Sequence, residues 1–266
     1  MQKMEPSSMM KPNIEPLEIG GGLVEPQPSG WRMTLPPIPA GYADAQLDDY
    51  HGLPRAMLSW EPPVRLQIRA RAHPTMPLGT LGFGFWNDPF TVSLGQGGTA
   101  RRLPSAPQAA WFFYGSPPND MALANGVPGH GWKASVLRSV NIPSLLLLPG
   151  AAIAAVLGLI PVIRGPVMRL ARRFVHAQEK LLPSELSEWH EYRLDWNIDG
   201  VAFWVDGKLE LLTDIEPRPP LGLVIWIDNQ YAVASPQGGF RFGTLKTETT
   251  QWLEIESLEI ETPGAG

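Results

Sequence analysis

The sequence predicts an all-β sandwich, and three observations carry the prediction. From residue 31 onward short apolar runs alternate with turn residues, and 29 prolines and 27 glycines in 266 residues supply the turns that many short strands need. Residues 64–72 read Val-Arg-Leu-Gln-Ile-Arg-Ala-Arg-Ala. That places Val64, Leu66, Ile68 and Ala70 on one face and Arg65, Gln67, Arg69 and Arg71 on the other, the pattern of a half-buried antiparallel strand. Residues 192–196 and 201–205 repeat the alternation around Asn197-Ile198-Asp199-Gly200, and Asp206-Gly207 closes the second run, so 192–208 reads as a β-hairpin followed by another tight turn. No strand–helix alternation recurs, which argues against a parallel sheet. A chain of this length buries a large core as one domain.

The elements follow in order. Residues 1–28, rich in Pro, Ser, Gly and Glu, are expected to form a disordered or loosely wrapped tail, and 29–266 a single domain. Strands are expected at 31–35, 43–47, 56–60, 64–72, 81–86, 109–114, 132–140, 221–227 and 251–260. The run Leu-Gly-Phe-Gly-Phe-Trp at 81–86 contains glycines that admit close approach of another chain or a ligand. One segment breaks the pattern: 142–163 carry no charge, and Arg164, Arg169, Arg172 and Arg173 then appear among apolar residues. Strands of one sandwich flank it on both sides, which excludes a single membrane span, and Pro143, Pro149, Gly150, Gly158 and Pro161 break it into short pieces. The expectation is a helical hydrophobic insertion at about 142–182, with helices over 151–159 and 166–180, that packs on the sandwich as a lid or touches a membrane surface.

Composition excludes several classes. A net charge of −5 gives no basis for nucleic-acid binding, which needs clustered Lys and Arg. The absence of cysteine removes disulfides, thiol nucleophiles and thiolate metal sites. Residues 1–30 lack the apolar core of a secretory signal, so the expected location is cytoplasmic, with peripheral membrane contact through the insertion as the variant.

The hairpin is more specific than its fold class. Its residues Trp189-His190-x-Tyr192-x-x-x-Trp196-x-x-Asp199-Gly200-x-x-Phe203-x-Val205-Asp206-Gly207-Lys208 resemble the hairpin of the laminarinase-type family 16 glycoside hydrolases, jelly-roll sandwiches of the concanavalin A-like class. The 64–72 and 82–86 strands resemble that family's "R-x-E-x-R-x-K" and "P-A-F-W" pair, and 221–228 and 251–259 its last core strands. The resemblance covers about 31–141 and 183–262 and implies a concanavalin A-like jelly roll. In the family a strand reading "E-x-D-x-(x)-E" holds the nucleophile and acid carboxylates. The equivalent strand here is 108–114, where those positions fall on Gln108, Ala110 and either Phe112 or Phe113. Two carboxylates are what glycoside hydrolysis requires, so the resemblance implies the fold without the family's reaction. Calcium occurs on the convex side of sandwiches of this class, but no acidic cluster marks a site for it here, and no cofactor is expected.

A cleft that lacks those carboxylates and holds Trp111, Phe112, Phe113 and Tyr114 is apolar. The preferred expectation is therefore a hydrophobic or amphiphilic small molecule bound in an aromatic concave cleft, by Trp86, Gln108, Ala110, Trp111, Phe113 and Trp226. The alternatives are a carbohydrate-binding or carbohydrate-active protein, and a membrane-surface or partner-docking module. Exposed Trp rings flanked by polar donors would indicate sugar, and a closed dry site a lipid-like ligand. The same aromatics also read as core. Asp88 and Asp228 end their strands at the cleft mouth and are candidate acids or bases, or initiators of Asx turns. His130, in Pro128-Gly129-His130-Gly131, is the candidate functional histidine, whereas His190 belongs to the structural hairpin. The five histidines have no paired ligand spacing, so no zinc site is expected.

Overall fold

The computed structural model describes residues 8–9, 12–75, 77–89, 105–122, 124, 126–140, 174–235 and 239–262. They form a sandwich of two large antiparallel sheets. The eight-stranded sheet runs β13 (Lys208–Thr213), β12 (Gly200–Val205), β11 (His190–Asn197), β6 (Val64–Ala72), β17 (Gln251–Thr262), β4 (Gly30–Leu35) and β3 (Leu23–Gln27), with the short β1 (Ser8–Met9) paired to β17. The seven-stranded sheet runs β10 (Val175–Leu181), β9 (Gly131–Ser139), β8 (Gln108–Gly115), β7 (Thr80–Trp86), β14 (Gly222–Asp228), β5 (Asp44–Asp48) and β2 (Glu15–Ile19). A separate hairpin, β15 (Gln230–Ser235) and β16 (Gly239–Thr244), follows β14.

Alternation decides what enters the layer between the sheets. On β6, Val64, Leu66, Ile68, Ala70 and Ala72 are buried while the residues between them are half-buried, as the period-2 pattern requires. Leu81, Phe83 and Phe85 of β7 and Ala110, Phe112 and Tyr114 of β8 enter the same core. Phe112 meets Phe83, Tyr192 and Phe203 at ring-centroid distances of 5.4, 5.0 and 5.1 Å, so the expected hairpin supplies half of the aromatic centre. The hairpin forms as read: Asn197 pairs with Gly200, and Val205 with Lys208. The Asp206-Gly207 turn has positive φ at both residues (49° and 75°), the backbone of a type I′ turn whose twist matches its strands. His190 Nδ1 lies 2.6 Å from Asp206 Oδ2, and Asp206 Oδ1 accepts the Glu191 amide at 2.9 Å. His190 thus ties the turn to β11.

Three expectations need correction. Residues 15–27, assigned to the tail, form β2 and β3, edge strands of the two sheets. The strand expected at 56–60 is a 3-10 turn, Arg55–Met57, followed by one bridge between Trp60 and Leu221. Within the expected insertion, 175–181 is not helical: it is β10, paired with β9 from Val175↔Ser139 to Leu181↔Lys133. Its buried position is a carboxylate, Glu179, which is why the sequence shows no strand-like apolar alternation there. The rest of the insertion call, 142–173, lies outside the described residues. Among the described residues no helix is long and apolar enough to cross a membrane.

Candidate functional site

The outer face of the seven-stranded sheet is built from the residues that alternate with the core set. On β8 these are Ala109, Trp111 and Phe113; on β7, Thr80, Gly82, Gly84 and Trp86; on β14, Gly222, Val224, Trp226 and Asp228; on β5, Asp44, Gln46 and Asp48. Register aligns them in rows across the sheet. One row reads Phe113, Gly82, Trp226, Gln46, the next Trp111, Gly84, Val224, Asp48, and a row at one end Thr80, Asp228, Asp44. Tyr50, Leu58, Phe113, Val224 and Trp226 form a second hydrophobic cluster here, separate from the inter-sheet core, with Trp86 and Trp111 packed against it.

The rings make a continuous floor. Trp111 lies 5.8 Å from Trp86, 5.4 Å from Trp226 and, stacked, 5.7 Å from Phe113, and Tyr50 meets Trp86 edge-on at 6.3 Å. Gly82 makes this possible: a Cβ there would sit 2.7 Å from the Trp226 ring and 2.3 Å from the Phe112 carbonyl oxygen. The close approach that the glycine admits is therefore met by the chain's own tryptophan.

Two of the three indoles are fixed through their N–H groups. Trp86 Nε1 donates to the Tyr50 hydroxyl at 2.7 Å, which also accepts from Gln46 Nε2 at 3.3 Å. Trp226 Nε1 donates to Thr80 Oγ1 at 2.9 Å, and Thr80 Oγ1 donates to Asp228 Oδ1 at 2.7 Å. Trp111 has no hydrogen bond among the described residues, and its Nε1 is not among the buried, unpartnered atoms. Trp86 and Trp111 are half-buried, while Phe113, Trp226 and Tyr50 are buried.

Carboxylates border the floor on the β5 side. Burial pushes Asp228 up to about 6, and Asp44 and Asp48 are raised by the same cause. Asp48 accepts from Gln46 Nε2 at 2.8 Å and from the Tyr50 amide at 3.1 Å. On the opposite side Lys133 and Glu179 form a fully buried ion pair at 2.9 Å. Lys133 Nζ also donates to the carbonyls of Met121 and Pro128, and Glu179 accepts the Ala124 amide, which fastens the 116–130 loop over this end.

The sequence-derived candidates divide by geometry. Trp86, Trp111, Phe113 and Trp226 come together on the outer face. Ala110 does not: it lies in the inter-sheet core, and Gln108 spends its amide on the Ser139 carbonyl at 2.9 Å and the Arg218 amide at 3.0 Å. Packing of Phe112 and Tyr114 inward sets the parity of β8, so its outward positions are 109, 111 and 113, one step from the set built on Gln108 and Ala110. Asp228 is on the face but its Oδ1 accepts from Thr80 N, Thr80 Oγ1 and Gln230 N, a structural use that includes the Asx-type contact. Asp88 is half-buried beyond Trp86, with φ of 43°, and its carbonyl accepts from the Arg55 guanidinium. His130 is exposed in the loop before β9. Asp44, Gln46, Asp48, Tyr50 and Thr80 escaped sequence reasoning, although Asp44-Ala45-Gln46-Leu47-Asp48 carries a period-2 pattern that signals one polar face. Among the described residues no group of three His, Cys, Asp or Glu could hold a metal ion.

No family model matches the sequence, and no curated protein matches it. Solved structures do show a likeness. A GlcNAcα1-4Gal-releasing endo-β-galactosidase from Clostridium perfringens aligns with TM-score 0.49 and 9% identity over 100% of this chain, which spans 66% of that enzyme. A family 16 endo-glucanase from Bacteroides ovatus aligns with TM-score 0.47 and 10% identity, covering 90% of this chain and 84% of that one. The carbohydrate recognition domain of Emp47p aligns with TM-score 0.46 and 10% identity, covering 95% and 89%. The sandwich assignment rests on the two sheets themselves.

Proposed function

We propose that the aromatic outer face of the seven-stranded sheet binds a carbohydrate chain without hydrolysing it by the two-carboxylate route. The observation that carries this reading is the floor of Trp86, Trp111 and Trp226. Two of its indoles are locked by hydrogen bonds, the third, Trp111, has no side-chain hydrogen bond among the described residues, and Gln46 and the β5 carboxylates lie along its edge. Sugar rings present C–H faces that stack on indole and hydroxyls that need polar partners, and this face supplies both. An apolar guest would use the rings but leave the polar edge unanswered, so the polar groups beside Trp86 and Trp111 favour sugar over the hydrophobic ligand expected from the sequence. β8 carries no carboxylate on either face, so the chemistry of a retaining or inverting pair has no residues on that strand. Membrane contact through the arginines at 164, 169, 172 and 173 is a separate proposal.

The test is affinity electrophoresis through gels containing soluble β-1,3- or β-1,4-glucan, followed by calorimetry with oligosaccharides of the glucan that retards the protein. Retardation that is lost in Trp111→Ala, with no reducing sugar released, is the expected result. Reducing-sugar release by wild type that survives purification would overturn the non-hydrolytic reading. Equal retardation of wild type and Trp111→Ala would overturn the assigned face.

A further inference from the structure

Asp44 and Asp228 face each other from adjacent strands, directly opposite in the β5–β14 register. They are 3% and 7% exposed. Asp228 Oδ1 is saturated by Thr80 N, Thr80 Oγ1 and Gln230 N at 3.2, 2.7 and 3.1 Å. Asp44 receives the Tyr42 hydroxyl, yet its Oδ1 has no partner. Among the described residues neither carboxylate belongs to an ion pair. The groups that face them are Tyr42, Asp48 on β5, Thr80 on β7 and Gln230 at the start of β15, while β2 brings Ile19 opposite Asp44. No cation is among them. Two buried carboxylates without a cation cannot both stay ionised at ordinary cost.

We infer that the buried Asp44–Asp228 pair, which no described cation neutralises, is the positioning element that sets the Trp226 indole through Thr80. Asp228 orients Thr80 Oγ1 by accepting its hydrogen bond, which leaves a Thr80 lone pair for Trp226 Nε1. When both carboxyls are ionised, two like charges stand in one buried site. Their repulsion acts first on the Asp228–Thr80 contact and so on the ring beyond it. The inference rests on the carbohydrate reading only for the claim that Trp226 underlies a ligand. Its test needs no ligand, so the two can fail separately.

Burial holds both carboxyls above the values they have in the unfolded chain, with Asp228 raised to about 6. The folded state therefore binds more protons than the unfolded state from roughly pH 4 upward, and stability is greatest below that and falls as pH rises through the folded values. Asp48, raised by burial, and Asp49, raised to about 6 by burial, add slopes of the same sign, while Asp206 and Glu210, held low, oppose them, so the comparison is between variants. Wild-type Tm should drop by about 5 °C between pH 5 and pH 8, and Asp44→Asn should remove much of that drop. The positioning claim is read from Trp226 emission, taken as the difference between wild type and Trp226→Phe. This difference should titrate above pH 5 in wild type, move to lower pH in Asp44→Asn, where Asp228 stands alone in the site, and be lost in Thr80→Val. Asp228→Asn, which retains an acceptor oxygen but no charge, should hold it constant if Asp44→Asn does not fold. A Trp226 signal constant from pH 4.5 to 8, or an Asp44→Asn variant that titrates like wild type, would overturn the inference.

Discussion

The two outer faces of the sandwich contrast sharply. On the eight-stranded sheet the outward residues are ionic and wet. Arg71 and Arg32 flank Glu254, Arg65 reaches Asp195 and Glu261, Arg69 reaches Glu256, and Trp189 and Trp252 lie under the guanidinium groups. On the seven-stranded sheet the outward residues are aromatic or carboxylic and largely out of water: β14 is buried at every position, and β7 and β8 at all but one. One sheet shows the alternation of a half-solvated antiparallel strand and the other the continuous burial of a covered one. The difference supports the proposal that the aromatic face is the one that takes a ligand. On the ionic face Arg32, Arg65, Arg69 and Arg71 meet carboxylates, whereas on the aromatic face an Asp44 oxygen has no partner among the described residues.

Breaking the covered face should cost far more than breaking the wet one. The largest effect is expected for Glu179→Ala, which leaves the Lys133 ammonium buried and unpaired; about 3–5 kcal/mol of stability should be lost in a denaturant titration. The double variant Lys133→Met/Glu179→Leu should recover most of that. If Glu179→Ala unfolds at the wild-type midpoint, the edge of this face is wetter than described.

Gly82→Ala tests the floor itself. The added methyl meets the Phe112 carbonyl and the Trp226 ring, so a loss of about 1–3 kcal/mol is expected together with a changed Trp226 environment in near-ultraviolet circular dichroism. Trp111→Ala should leave stability within about 1 kcal/mol of wild type, because the ring is half-buried, yet weaken oligosaccharide binding by about 30-fold. The smallest effect belongs to the ionic face: Arg71→Gln should change stability by less than about 1 kcal/mol, and less at high salt, since its guanidinium is more than a third exposed. A large loss in Arg71→Gln would erase the contrast between the faces.

The sheets were legible in proportion to their exposure to water on one side. β6, β11 and β12 alternate cleanly and could be placed from residues 64–72 and 192–205 alone. β7, β8 and β14 were found as apolar runs, but a strand buried on both faces carries no parity signal. That is why Ala110 and Gln108 were assigned to the cleft when Phe112 and Tyr114 turn that parity inward. β10 was hidden because its buried position is Glu179, whose partner Lys133 lies far away in sequence. β2 and β3 were hidden because edge strands rich in Pro and Glu read as tail. The aromatic half of the site was readable from Trp86, Trp111, Phe113 and Trp226. Its polar half depends on Thr80, Asp44 and Tyr50, which only the β5–β14–β7 pairing brings beside the tryptophans.

The central claim is that the aromatic face, and not the ionic one, receives a carbohydrate. It is tested most directly by following the indole N–H resonances of the ten tryptophans during titration with β-1,3- and β-1,4-linked gluco-oligosaccharides. The expected result is a large, saturable shift for Trp111, smaller shifts for Trp86 and Trp226, and none for Trp189, Trp204 and Trp252. Shifts confined to Trp189, Trp204 or Trp252, or none at any indole with either series at millimolar concentration, would contradict it.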